Sequence, residues 1–342
     1  MNRALDAAAR LRTIEFEGQR YTLGEAESVL ECLLRHGLSI PNFCRSGVCQ
    51  ACMLKATSGE VPAASQRGIK PSLQQLEHFL ACMCRPAGDL AVARCEAAER
   101  HPSRVTRVEH AAPRVLRVWL ERPPGLEFRA GQFVQLERPS DALLRPYSLA
   151  SLPDDDELEL HVALLEHGAM SSWLQGAVGH AVWVRGAFGD CFYQEGESER
   201  PLLLAGTGTG LAPLFAVLRA AARAAHRGPI TLCHGSRAAS GLDLRRQLSA
   251  LQATLPSLSL LGSVLDGDPA ALASHGSDAW QLTNRPLDEL LAAHFPSLQG
   301  FRVYLCGNPG LVQRLKTRAY LAGAALERIH SDPFISAPTA VG

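Results

Sequence analysis

Residues 44–52 read CRSGVCQAC, and LACMCRP follows at residues 80–86. Cys44, Cys49 and Cys52 are separated by four and then two residues, and Cys82 and Cys84 stand one residue apart after a long gap. Four-then-two spacing with a distant fourth thiol lets thiolates converge on a [2Fe–2S] cluster. Ser46, Gly47 and Ala51 keep the loop small, so backbone N–H groups can point at the sulfides of an anionic cluster. Zinc competes, because Cys49, Cys52, Cys82 and Cys84 would supply four sulfurs. The four-residue spacer and the loop glycine fit the cluster better. A Cys82–Cys84 disulfide fits poorly: extended residues two apart lie about 6.5–7 Å from each other, at the edge of disulfide reach. If this segment is a strand, both thiols project from one face, and geometry alone leaves open which approaches iron.

The surrounding chain bounds the answer. Its 342 residues suggest two or three domains, and 46% apolar with 20% charged residues is an ordinary globular mixture. Lys plus Arg and Asp plus Glu each number 34, so no basic field invites nucleic acid or an anionic membrane. Seven of the ten cysteines lie in the first hundred residues. With no cationic, apolar leader, the expected compartment is the reducing cytoplasm, where clustered cysteines more often hold metal than form disulfides. The most apolar stretch, PLLLAGTGTGLAPLFAVL at 201–218, is broken by three glycines and an internal proline. It reads as strand, tight loop and helix, without membrane insertion.

Three segments separate by pattern. In residues 1–100, TIEFEGQRYTL reads as a hairpin, and GEAESVLECLLRHG as a helix with Val29, Leu30, Leu33 and Leu34 on one face. DLAVARC closes this α+β module as a strand. EAAERHPSR, 96–104, reads as a linker. In residues 101–198 the runs RVLRVWL, GQFVQLERP, ELELHVALL and AVWVRGAFG suggest a small antiparallel β-barrel. There Leu158, Leu160, Val162 and Leu164 alternate with polar residues, as in a half-buried strand. QEGESERP, 194–201, is a second linker, and strands then alternate with helices through residues 199–342, an α/β Rossmann-like pattern. The last eight residues, ISAPTAVG, read as a loose tail.

CRSGVCQAC, the preceding LSIPNF and the later LACMCRP resemble the β-grasp ferredoxin module of flavin-containing, NAD(P)H-dependent iron–sulfur reductases. That family usually has Gly or Ala where Gln50 stands. Its fourth ligand follows a small or apolar pair and precedes x-x-x-Pro, which implies Cys82, with Pro86 as the proline, beside Cys44, Cys49 and Cys52. Cys32, Cys84 and Cys95 then read as small apolar residues.

RPYSLAS, 145–151, resembles the Arg-x-Tyr-Ser motif of the ferredoxin–NADP reductase superfamily, a likeness running from about residue 104 to 334. It implies that Arg145 pairs with the FAD pyrophosphate, Tyr147 packs along the flavin, and Ser148 hydrogen-bonds near N5. HGAMSSWL matches the second FAD element through Gly168 and Ser171 at a helix start. VRGAFGDCF resembles the Gly-Pro-x-Gly turn, with Ala187 in the proline's place.

AGTGTGLAP, 205–213, matches the superfamily's pyridine-nucleotide loop: Gly206, Gly208, Thr209, Gly210 and Pro213. Gly208 and Gly210 would allow close backbone approach, and Pro213 would start the helix. YLCGNP matches the Cys-Gly-x-Pro element, which puts Cys306 and Gly307 beside the nicotinamide. HSDPF resembles the C-terminal segment whose aromatic, here Phe334, lies over the flavin; the other reading of Phe334 is a core residue. Ser148, Cys306 and Phe334 are thus the implied catalytic groups. Ser236 and Arg237 in CHGSR could grip a 2′-phosphate, but Asp266 and Asp268 in the following LGSVLDGDP would repel one, so the reading inclines to NADH over NADPH.

The resemblance implies a reductase that passes hydride from NAD(P)H to FAD, then single electrons through a [2Fe–2S] cluster to an acceptor protein such as an oxygenase or hydroxylase component. A diffusible carrier or quinone as acceptor, or a redox sensor without turnover, are the alternatives. The cluster segment is nearly charge-balanced, with 12 basic and 11 acidic residues through Arg100, as suits a domain tethered to its electron donor.

Overall fold

The computed structural model describes residues 12–69, 71–95, 100–242, 244–268 and 280–334. It divides into two compact units, one before Arg100 and one beginning there. The first part of the expected 96–104 linker and the expected tail lie outside the described residues.

In the first unit, β1 (Thr13–Phe16) and β2 (Gln19–Thr22) form the expected hairpin. Its two turn residues, Glu17 and Gly18, both have positive φ, the geometry that matches strand twist. Helix α1 (Val29–Arg35) opens with a capping box: Ser28 Oγ accepts from the Glu31 N–H, and the Glu31 carboxylate accepts from the Ser28 N–H. It buries Val29, Leu30, Cys32 and Leu33, leaving Leu34 half-buried. Strand β3 (Met53–Ser58), α2 (Pro71–Gln75), β4 (His78–Leu80) and β5 (Leu90–Arg94) complete a sheet ordered β2-β1-β5-β3-β4, with β1 parallel to β5. Ile14 and Phe16 point from β1 into a core shared with Leu30, Leu33, Phe79 and Leu90, a β-grasp arrangement.

The second unit begins with six antiparallel strands: β6 (Arg100–Ala112), β7 (Val115–Glu121), β8 (Phe133–Arg138), β9 (Leu143–Ser148), β10 (Glu157–Ala163) and β11 (Ala181–Phe188). Helix α3 (Ala169–Leu174) lies between the last two. The sheet order is β10-β7-β6-β11-β8-β9, and its two edges meet at a Leu149–Leu160 bridge, where the Ala150 N–H donates to Glu159 O at 2.8 Å. Closure leaves no open edge at that point.

Two sequence expectations need correction here. Residues 100–104 are strand, pairing with β11 from Arg100↔Arg185 to Arg104↔Ala181. Their polarity marks the outward face of a strand: Ser103 and Val105 turn inward between exposed arginines. Strand β10 is buried on both faces. Its polar residues Glu159 and His161 are held by Arg117, which donates to Glu159 at 2.7 Å, and by the 3.0 Å His161–Glu159 contact. Leu164 falls outside the strand and is half-buried.

The parallel sheet contains β12 (Leu202–Thr207), β13 (Ile230–Ser236), β14 (Leu258–Val264), β15 (Trp280–Thr283), β16 (Arg302–Gly307) and β17 (Ile329–Pro333), ordered β15-β14-β13-β12-β16-β17. Leu202, Leu204, Leu232 and Leu260 face helices α4 (Leu211–Arg223) and α5 (Arg245–Leu251). Leu203, Ala205, Val303 and Leu305 face α6 (Leu287–His294) and α7 (Pro309–Leu321) on the other side. The strand order reverses between β12 and β16, and such a switch point opens a crevice at the strands' C-terminal ends. Residues 201–218 are strand, loop and helix as expected, and no helix among the described residues is long and apolar enough to cross a membrane.

Candidate cluster and nucleotide sites

The loop after α1 brings Cys44, Cys49 and Cys52 together, and the turn after β4 brings Cys82 to them. The Cys44 and Cys49 thiols interact, as do those of Cys52 and Cys82. Within each pair one sulfur is stabilised as thiolate by the other's S–H. Cys44 falls to about 4, mainly through Cys49, and Cys82 is lowered mainly through Cys52, while Cys49 and Cys52 are held high. Backbone amides add to this: Ser46 and Cys49 N–H groups donate to Cys44 Sγ at 3.4 and 3.3 Å, and the Gly47 amide faces Cys82. Such a nest of N–H groups suits an anionic sulfide centre. Among the described residues no three His, Cys, Asp or Glu groups gather as a single metal ion would need.

The strand expected to carry Cys82 and Cys84 ends at Leu80; a turn follows, with the Met83 N–H donating to Leu80 O at 2.9 Å. The turn sends the two thiols to different surroundings, so the same-face expectation does not hold. Cys84 is fully buried beside the Ser65 hydroxyl, and burial pushes it up to about 12. Cys32 is buried likewise, its Sγ donating to Thr22 O at 3.5 Å, whereas Cys95 is half-buried against Met53 O. Gln50 has a φ of 57°, a left-handed backbone that glycine, one of the two usual residues at this position, adopts freely. Here the side chain offsets that conformation, Nε2 donating to Gly68 O at 2.7 Å.

Arg145, Tyr147 and Ser148 lie on β9, whose apolar residues Leu143, Leu144 and Tyr147 are only half-buried. An uncovered apolar strand bearing a guanidinium and ending in a hydroxyl fits a flavin dinucleotide laid along it. Burial pulls Arg145 down and pushes Tyr147 up from their ordinary values. Gly168 caps α3, and a Cβ there would lie 2.4 Å from Ser171 Oγ. The Ser171 hydroxyl accepts from the Leu165 N–H at 3.3 Å and donates to Gly168 O at 3.1 Å, so it organises this loop itself.

The glycine loop after β12 meets the end of β16 at the switch point. A Cβ on Gly206 or Gly210 would strike Cys306 O at 2.8 or 2.6 Å, and one on Gly307 would strike Thr207 O at 2.7 Å. These three glycines therefore let two βα loops touch. Only Gly208, with φ 54° and open space where a Cβ would be, keeps its expected freedom toward a ligand. Thr209 is half-buried in the 3₁₀ turn Gly208–Gly210, and Pro213 is the third residue of α4 rather than its first, still where a missing N–H costs nothing. Ser236 ends β13, half-buried; exposed Arg237 pairs with Asp266 at 3.3 Å.

Two residues that sequence reasoning missed complete the crevice. Asp332 on β17 sits opposite Cys306 in register and accepts from Ser148 Oγ at 3.0 Å. Desolvation pushes its carboxyl up to about 6 against the pull of that hydroxyl. Cys191, just past β11, meets Cys306 thiol to thiol at 3.5 Å. Both stood in quoted segments, GDCF and HSDPF, but their partners are 115 and 184 residues away in sequence. Phe334 is half-buried, and its N–H donates to Gly307 O at 2.7 Å, which places it at the crevice rather than in the core.

Comparison with known proteins agrees with each part. Residues 13–87 match the 2Fe-2S iron-sulfur cluster binding domain, 105–193 the oxidoreductase FAD-binding domain, and 204–317 the oxidoreductase NAD-binding domain. The chain is 32% identical to the ferredoxin–NAD(P)(+) reductase component of a Pseudomonas putida naphthalene 1,2-dioxygenase system, covering 90% of this chain and 93% of that one. It is 31% identical to the reductase subunit of an Amycolatopsis aromatic O-demethylase, covering 94% and 97%. Among solved structures, an Amycolatopsis cytochrome P450 reductase superposes with a TM-score of 0.65 at 28% identity, over 94% of this chain and 98% of that one. Paired thiols in a ferredoxin unit, a flavin-suited strand and a switch-point crevice thus stand on one chain, which belongs to the NAD(P)H-dependent iron–sulfur flavoprotein reductases of the ferredoxin–NADP reductase superfamily.

Proposed function

We propose that the protein is the reductase component of an oxygenase system, using NADH and working in the cytoplasm. When bound, nicotinamide and flavin exchange a hydride, and the two-iron centre carries electrons one at a time. The observation that supports this most is the meeting of Ser148, Cys306 and Asp332, from three separate strands, at the switch-point crevice. Arg145 would hold the FAD pyrophosphate, with Gly168 and Ser171 shaping the loop beside it, while Tyr147 and Phe334 cover the ring. Ser148 would present its hydroxyl to the flavin, its proton held toward Asp332. Gly206, Gly208, Thr209, Gly210, Pro213 and Gly307 would shape the nucleotide cradle, and Cys306 would line the nicotinamide side. Cys44, Cys49, Cys52 and Cys82 would ligate the cluster.

The pairing of Arg237 with Asp266 supports NADH, because the cation beside Ser236 is already matched by a carboxylate that repels a 2′-phosphate. The oxygenase partner is supported by relatives that are reductase components of naphthalene and terephthalate dioxygenases and of an aromatic O-demethylase. The expected result is a higher kcat/KM with NADH than with NADPH, and NADH-driven reduction of an oxygenase component that Cys82→Ser abolishes while flavin reduction persists. If that variant still reduces the oxygenase component at the parent rate, the cluster is not on the route and the reading is wrong.

A further inference from the structure

We propose that Cys191 and Cys306 form a peroxide-sensitive thiol pair whose disulfide shuts off flavin reduction by the nicotinamide. Outside the cluster loop, this is where two of the chain's cysteines meet thiol to thiol, with Sγ atoms 3.5 Å apart. The other cysteines beyond that loop have different neighbours: Cys32 faces a carbonyl, Cys84 a hydroxyl, Cys95 a carbonyl, and Cys233 is shut in the sheet.

Another backbone segment packs closely against each cysteine. A Cβ on Gly131 would strike Cys191 O at 2.3 Å, and one on Gly210 would strike Cys306 O at 2.6 Å. The thiols face each other at 3.5 Å, and side-chain rotation must close only about 1.5 Å to reach bonding distance. Cys191 and Cys306 are 2% and 1% exposed, so a small, neutral oxidant is needed. Hydrogen peroxide is of that class.

The chemistry balances with one peroxide. One thiol gives up its proton and attacks, an S–O bond forming as the O–O bond breaks, and water leaves. The second thiol attacks that sulfur; an S–S bond forms, the S–O bond breaks, and a second water leaves. The two thiols lose two electrons and the peroxide gains them. Burial and the Cys191 neighbour hold Cys306 in its thiol form, which keeps the attacking thiolate scarce and makes the oxidation slow at low peroxide.

Two consequences follow. The bond would turn Cys306 Sγ away from the position proposed for it beside the nicotinamide. It would also tie the segment leaving the antiparallel sheet to the end of β16, the strand that borders the crevice. This inference rests on the placement of Cys306 given above, and Cys306→Ser assayed in reducing buffer tests that placement by itself.

The experiment treats the holoenzyme anaerobically with hydrogen peroxide, removes it, and blocks remaining thiols by alkylation before peptide mapping. Flavin absorbance is followed after mixing with NADH, because cluster thiolates are oxidisable too and would confuse overall turnover. The expected result is a Cys191–Cys306 linked peptide, two hydrogens lighter than the free pair. NADH-driven flavin reduction slows on the order of a hundredfold, as for a misplaced reacting group, and dithiothreitol restores it. In Cys191→Ala, with Cys191→Ser as a second variant should the smaller side chain loosen the core, the same treatment causes no slowing relative to that variant's own untreated rate. The proposal is overturned if no linked peptide forms while Cys306 stays alkylatable. It is equally overturned if the peptide forms and flavin reduction keeps its rate.

Discussion

In the first unit, three of the four converging thiols come from one nine-residue loop, and the fourth arrives on a turn after a neighbouring strand. In the second, the crevice collects Ser148, Cys191, Cys306 and Asp332 from segments up to 184 residues apart. The loop is organised by its own backbone, whose N–H groups aim at its sulfurs. The crevice is organised by the closing of one sheet and the switch point of another. A local site should fail through single ligands or loop torsions, and a distributed site through the packing that sets its parts in register.

The largest expected effect is on the local site. Cys82→Ser should abolish iron incorporation and the cluster's visible absorbance, while Cys84→Ser, removing a thiol that faces Ser65, should keep both. The opposite pattern would move the fourth ligand two residues along and break the two-pair description.

The distributed site is held in place by buried charge. Glu159 lies where the barrel closes beside Ala150, paired with Arg117 and His161. Glu159→Leu should cost on the order of 3–5 kcal/mol in denaturant unfolding followed by flavin release, since it strands the half-buried Arg117 and removes the partner of buried His161. Burial pushes the Glu159 carboxyl up, but its partners outweigh that and hold it near about 2, below its ordinary 4.5. A depressed carboxylate stabilises the fold fully above about 4.5, and that contribution fades as pH falls toward 2. An unfolding midpoint that is the same for parent and variant would show that the pair does not support the closure.

Asp332→Asn should have a smaller effect, and one specific to chemistry. With its carboxyl near about 6, Asp332 accepts from Ser148 above that pH and loses the proton-accepting form below it. Flavin reduction by NADH should therefore fall through a step near pH 6 in the parent, and the variant should be slower, about ten- to a hundredfold, with the step gone. A step that survives in the variant belongs to another group.

These cases also show where the sequence was readable. The cysteine loop was legible because its ligands are close in sequence and their spacing is itself the geometry. β12, β13, β16, α4 and α7 were legible from period and glycine punctuation. Glu159 and His161 were not, because alternation assigns polar residues to solvent until a partner such as Arg117, on another strand, is known. Pro102 and its arginines read as linker because composition does not distinguish an outward strand face from a loop. Asp332 and Cys191 carry chemistry only through partners that no local pattern announces.

The smallest effect returns to the loop. Gln50→Ala keeps the positive φ and loses the bond to Gly68 O, so it should cost about 1 kcal/mol of thermal or denaturant stability. Gln50→Gly loses the same bond but relieves the backbone, and should come out near neutral. Equal losses in both variants would mean that the backbone conformation, though left-handed, carries no cost here.

The central claim is that one chain carries electrons from nicotinamide to flavin and on to its own two-iron centre. The most direct measurement mixes the holoenzyme with NADH without oxygen and follows flavin and cluster absorbance together. The account predicts rapid flavin bleaching followed by cluster bleaching in the same molecules, with the second phase missing in Cys82→Ser. A reduced flavin beside an unchanged cluster spectrum in the parent protein would contradict it.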